Sequence, residues 1–120
     1  MREFKKGSLG MLVLHLLYQQ PSYGWELCER LRTRSDAELQ FEDSAVYPLL
    51  HTYERHGLVE GYWEEDAPDA PRTGPRRRYY RLTPQGIAAL RTHLQEWQTF
   101  TSAVNHILTD PAIASGEGQS

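Results

Sequence analysis

Cysteine is nearly missing from this 120-residue chain: Cys28 stands alone, so no internal disulfide can form, and a reducing compartment is expected. Zinc-type spacings are missing too. The five histidines (His15, His51, His56, His93 and His106) include no His-x-x-x-His pair, and no Cys-x-x-Cys occurs. A metal centre made from protein side chains alone is therefore not expected. There is no glycine-rich phosphate loop and no Gly-x-Ser-x-Gly elbow, so nothing proposes catalysis and no cofactor is expected. No apolar run approaches the roughly 18 residues that would suggest a membrane span. The apolar stretch Leu9–Leu17 contains His15 and lacks a small-residue cleavage site, unlike a signal peptide. The expectation is a soluble, cytoplasmic protein. Finally, no strong charge of one sign is present: the formal net charge is -3 and the pI about 5.9. That excludes indiscriminate polyanion binding, which runs on phosphate neutralisation, but leaves local patches open.

What is there suits one domain, since 39% hydrophobic residues can bury a modest core. Residues 1–6 are basic. From Ser8 to Gln19, Leu9, Leu12, Val13, Leu16 and Leu17 form an i, i+3, i+4, i+7, i+8 stripe, predicting a core-facing helix that Pro21-Ser22 breaks. Residues 23–34 predict a second helix burying Leu27, Cys28 and Leu31, with Gly24 in its first turn allowing close backbone approach. A third helix follows at 43–56. Asp43 or Ser44 is expected as N-cap, Val46, Leu49, Leu50 and Tyr53 recur at helical spacing, and Gly57 ends it. Its other face (Ser44, Tyr47, His51, Arg55) is polar. Pro48, just beyond the first turn, removes at most one intrahelical bond. Three helices with short links, the third presenting polar groups, are what a helix-turn-helix needs.

After Gly57 the period changes. Leu58–Glu65 and Arg78–Leu82 read as aromatic-rich strands, and the prolines and glycine between them (Pro68, Pro71, Gly74, Pro75) exclude regular structure. The two make a β-hairpin, or wing. Glu60, Glu64, Glu65, Asp66 and Asp69 precede the bend, while Arg72, Arg76, Arg77, Arg78 and Arg81 follow it with no acid among them. Such arginines can meet a phosphate backbone or minor groove, or pair with the acids across the hairpin. Thr83-Pro84 then starts a long helix, with a hydroxyl cap and proline at the first position. Ile87, Leu90, Leu94, Trp97, Val104 and Leu108 follow a 3–4 alternation with Thr101 in the missing place. That is a coiled-coil-like seam which so short a chain cannot cover, so homodimerisation is expected. Trp97 on the seam is either interface packing or, with its symmetry mate, a wall of a slot for a flat aromatic ligand. Residues 110–120 read as a disordered tail.

In this order several strings resemble the PadR family of bacterial transcriptional regulators, in particular its short subgroup with one C-terminal helix. They are Lys6-Gly7-Ser8-Leu9, Tyr23-Gly24-Trp25-Glu26-Leu27, Val46-Tyr47-Pro48-Leu49-Leu50, Gly57-Leu58-Val59 and Gly74-Pro75-Arg76-Arg77-Arg78-Tyr79-Tyr80-Arg81-Leu82-Thr83, with Gly86 after them. The resemblance spans residues 6 to about 100. It implies a mainly α fold with a small β-hairpin (α+β), a winged helix-turn-helix plus a long C-terminal dimerisation helix. It also implies a homodimeric repressor binding a two-fold related operator in double-stranded DNA, and release by an effector. Drug-sensing relatives use a tryptophan at the position of Trp97, so a planar aromatic effector is implied. Two positions depart from the family pattern: Thr52 stands where a basic residue is common, and Tyr53 where leucine is usual. The loop at 66–76 is also long for the family.

The domain organisation expected is 1–83 for DNA binding, 84–109 for dimerisation and 110–120 for the tail. The candidate DNA contacts are Lys6, Tyr23, Ser44, Tyr47, Pro48, His51, Arg76, Arg77 and Arg78. Leu90, Leu94, Trp97 and Val104 are the candidate dimer and effector residues. A competing class is a winged-helix module that binds another protein without DNA, since folds are reused across functions.

Overall fold

The computed structural model describes residues 2–65 and 74–109, with side chains from Gly7 onward. The side chain of Lys6, the loop that holds Arg72, and the tail expected to be disordered lie outside the described residues.

Among the described residues seven elements follow in order: α1 (Arg2–Gln19), β1 (Ser22–Tyr23), α2 (Gly24–Arg34), α3 (Asp43–Arg55), β2 (Val59–Trp63), β3 (Arg78–Leu82) and α4 (Pro84–Ile107). The strands form one antiparallel sheet in the order β1-β3-β2. A two-stranded hairpin was the expectation. The third strand is the two-residue β1, where Ser22 pairs with Tyr80 and Tyr23 with Tyr79. Ser22 is fully buried, and its hydroxyl accepts a hydrogen bond from Arg30 Nη1 at 2.8 Å. The Pro21-Ser22 break thus serves as a sheet edge.

Helix α1 begins at Arg2, earlier than Ser8, because its basic opening carries no apolar stripe to mark it. Beyond the expected stripe it also buries Met11 and Leu14, so most of its circumference is covered. It packs against α2, β3 and α4. Around it gather Leu27 and Leu31 of α2, Val46 and Leu50 of α3, Val59, Tyr80 and Leu90.

The N-cap of α3 is Glu42, and no side chain caps the backbone there. Asp43 is instead the first helical residue, where a carboxylate suits the positive end of the helix dipole. Its Oδ1 accepts a hydrogen bond from Cys28 Sγ at 3.4 Å. Gly57 (φ +74°) ends α3 as expected: its N–H donates to Glu54 O and the next N–H, of Leu58, to Tyr53 O. The same pattern ends α2 without glycine. Asp36 (φ 52°) and Ala37 (φ 65°) take the left-handed positions and donate to Thr33 O and Arg32 O. Thr83 caps α4 by accepting from Gly86 N–H at 3.0 Å, with Pro84 at the helix start.

Cys28 is half-buried, not a core residue. Burial, then the hydrogen bond and charge of Asp43, push its thiol up to about 11 from the ordinary 9.0. The reactive thiolate is correspondingly scarce. Native protein should therefore alkylate slowly with iodoacetamide at mildly alkaline pH, and unfolded protein quickly. The unfolded chain releases this proton at lower pH than the folded chain. Stability from this group is thus present below about 9 and lost as pH rises toward about 11. A Cys28→Ser variant should lose less stability across that window in urea melts.

Candidate nucleic-acid interface

Helix α3 divides its residues by depth. Val46 and Leu50 are fully buried and fix the helix to the core, while Ser44, Pro48, His51 and Arg55 are exposed. The exposed edge therefore starts in the first turn, where Ser44 Oγ donates to Glu42 Oε2 at 3.3 Å. Pro48, lacking an N–H, cannot give the Ser44 carbonyl its usual helical partner.

Tyr47, expected on the polar face, is half-buried against α2. Its ring lies so close to Gly24 that a Cβ there would sit 2.3 Å from ring carbons. Burial raises its phenol above the ordinary value, against the lowering effect of a hydrogen bond from the Trp25 backbone. The ring therefore joins the two helices of the helix-turn-helix before it can offer an edge to a partner.

The sheet aligns a row of aromatics. Tyr23 pairs in register with Tyr79 and Tyr79 with Tyr62, giving centroid distances of 5.3 and 5.9 Å. Trp25 stacks beside Tyr23 at 6.3 Å and is exposed.

The wing arginines take different roles. Arg76 and Arg77 are exposed. Arg77 lies 4.8 Å over the Tyr23 ring, with its Nη1 a long 3.9 Å from Glu64. Arg81 crosses the hairpin to Glu60 at 3.0 Å and covers Tyr62. Arg78, expected at the phosphate surface, is turned inward. It donates to Glu54 of α3 at 3.0 Å and stacks on Trp63 at 5.1 Å. Pairing across the hairpin is thus seen for Arg81, while Arg78 pairs with the helix; Arg76 and Arg77 are the more exposed members of the run. The partner of Arg78 was not legible in the hairpin charges, because it comes from the helix.

The second half of α4 projects beyond this body. Leu90 is buried and Leu94 half-buried, but Trp97 is 39% exposed, Phe100 55%, Ile107 81% and Leu108 69%. Val104 is half-buried. Phe100 falls outside the expected seam, yet its ring lies 6.4 Å from Trp97. Its i, i+3 spacing from that tryptophan was the available signal. A cavity of about 190 Å³ lies here, lined by Gly7, Met11, His93, Glu96, Trp97 and Phe100. Among the described residues no group of three or more His, Cys, Asp or Glu side chains is placed to hold a metal ion. No described helix is long and apolar enough to cross a membrane.

Comparison with known proteins places this architecture. The chain is similar to a transcriptional regulator of Mycobacterium tuberculosis, 32% identical over 90 residues, covering 75% of this chain and 76% of that protein. A PadR family regulator from Eggerthella lenta is 31% identical with a TM-score of 0.72, covering 88% of this chain and 86% of the other. A transcriptional regulator from Clostridium thermocellum superposes with a TM-score of 0.78 at 25% identity, over 88% and 95% of the two chains. The family model for PadR-like transcriptional regulators matches residues 13–92, most of the chain, from within α1 through the first half of α4. With four helices and a three-stranded antiparallel sheet among its described residues, the chain belongs to the PadR-like family of transcriptional regulators, which are not enzymes.

Proposed function

We propose that the protein is a sequence-specific DNA-binding repressor that acts in the cytoplasm as a homodimer on a two-fold related operator. Residues 1–83 read DNA, and 84–109 pair the copies. The observation that carries this reading is the joint display of an exposed polar helix edge and two exposed wing arginines on one scaffold. Ser44, Pro48 and His51 would approach base edges and sugar-phosphate in a major groove, with Tyr47 holding the helix from behind. Arg76 and Arg77 would meet phosphates, Tyr23 supporting Arg77 from below. Lys6 would add a charge from α1. Phosphate contacts position such a reader and base contacts specify the sequence.

The test is the salt dependence of binding. Replacing Arg76 and Arg77 by Ala should lower the slope of log affinity against log salt by about two, roughly one unit per phosphate contact. An unchanged slope removes the wing from the DNA. The exposed aromatics beside arginines also have the composition of a protein-binding surface, which favours the module without DNA as second reading. A chain of that class would bind no duplex in the same titration.

The cavity beside Trp97 and Phe100 is where a planar aromatic effector would bind. Planar aromatics should quench tryptophan fluorescence, and that quenching should disappear in Trp97→Ala while Trp25 and Trp63 still emit. Quenching that persists would place the ligand elsewhere.

A further inference from the structure

Glu54 sits in the last turn of α3, and its carboxylate reaches into the sheet. Oε2 accepts two hydrogen bonds, from the Gly61 backbone N–H at 3.2 Å and from Arg78 Nη2 at 3.0 Å. Gly61 belongs to β2 and Arg78 to β3, so one oxygen joins the recognition helix to both long strands of the wing. The space is full. A Cβ on Gly61 would stand 2.6 Å from Glu54 Oε2 and 2.8 and 2.9 Å from the Arg78 guanidinium nitrogens. Trp63 covers the guanidinium from the strand side. The Glu54 and Arg78 side chains are 34% and 35% exposed, whereas the Arg81–Glu60 pair is 51% and 59% exposed and ties the hairpin only to itself. An exposed bridge of that second kind contributes little, while a charge-assisted bond shielded by packing and shared with a backbone N–H is stronger.

Beside this, α3 passes to the wing through the short turn at Gly57-Leu58, whose carbonyls accept from Thr83, just past β3: Gly57 O from Thr83 Oγ1 at 2.6 Å and Leu58 O from the Thr83 N–H at 3.1 Å. That tie holds the base of the hairpin, while Glu54 reaches its middle at Gly61 and Arg78. A reader that places one element in a groove and another on the backbone depends on their relative angle, and such sites need support to hold their geometry.

We propose that Glu54, Gly61 and Arg78 form a clamp that fixes the recognition helix against the wing and thereby sets the specificity of DNA recognition. Arg78 is then a positioning residue and touches no phosphate. The inference rests on the DNA-binding reading above.

The experiment titrates full-length protein against its selected operator and an unrelated duplex across a salt series, with circular-dichroism melts to verify folding. Glu54→Gln keeps the shape and removes the charge; Arg78→Gln removes the guanidinium; the double variant tests coupling. Each single change should reduce the operator-to-unrelated affinity ratio about tenfold, the scale of one charge-assisted hydrogen bond. The salt slope should stay at the wild-type value, and the double variant should be no worse than either single one. Three results would overturn the clamp: an unchanged ratio, additive effects in the double variant, or a slope lowered by about one in Arg78→Gln, the mark of a lost phosphate contact. Wild-type protein with no operator preference would instead refute the DNA-binding reading itself.

Discussion

Trp97→Asp is expected to turn a dimer into a monomer in sedimentation experiments while leaving the protomer folded. The physical reason is the contrast between the two halves of α4. The first half shares the core through Leu90, with Gly86 so close to the turn before β2 that a Cβ would stand 2.1 Å from Leu58 O. The second half and the cap residue after it present Trp97, Phe100, Ile107 and Leu108 to solvent within a single chain. Burying large apolar side chains contributes roughly 1.5–3 kcal/mol each, and a two-fold interface repeats every contact. Losing one aromatic and gaining one carboxylate on both copies should weaken association by at least about 100-fold, given tenfold per 1.4 kcal/mol. Trp97 is exposed in the protomer, so the melting transition of the monomer should keep its cooperativity. Phe100→Ala, a milder change, should weaken association in the same direction. A Trp97→Asp protein that sediments as a stable dimer would place the interface elsewhere.

Gly24→Ala should destabilise the fold by about 2 kcal/mol, within the range of overpacking a filled contact. Alanine is ordinarily the better helix former, by roughly 1 kcal/mol, so propensity alone predicts the opposite sign. Packing wins because the added carbon would fall 2.3 Å from two Tyr47 ring atoms and 2.6 Å from the hydroxyl. Urea melts of Gly24→Ala, Tyr47→Ala and the double variant would check this. The double variant should be more stable than the sum of the singles, because the methyl group then enters the space left by the ring. Tyr47→Phe should not rescue, since the clash is with the ring. A neutral or stabilising Gly24→Ala would mean that this contact does not hold α2 to α3.

That contact explains why two separate strings in the sequence, Tyr23-Gly24-Trp25 and Val46-Tyr47-Pro48, belong together: one supplies the gap and the other fills it. The sequence announced them through pattern, but not which side of the helix Tyr47 would take. Spacing placed all four helices and the two long strands, because apolar periodicity and the stops at Gly57 and Thr83-Pro84 are local signals. What escaped were features decided by partners far along the chain. Strand β1 exists because Ser22 and Tyr23 meet Tyr80 and Tyr79. The end of α2 carries Asp36 and Ala37 at left-handed positions where glycine would have been the cue. Arg78 reads like the rest of the run, and its pairing with Glu54, on another element, is set by the fold. Charge runs are legible in one dimension; their pairing is a property of the fold.

Selection of bound duplexes from random DNA by the full-length protein, followed by footprinting, tests the central claim most directly. The expected result is enrichment of a two-fold related sequence whose half-sites are centred about one helical turn, ~34 Å, apart, as two copies of α3 in successive major grooves require. A pool that shows no preferred sequence after repeated rounds, with binding that vanishes uniformly as salt rises, would contradict it.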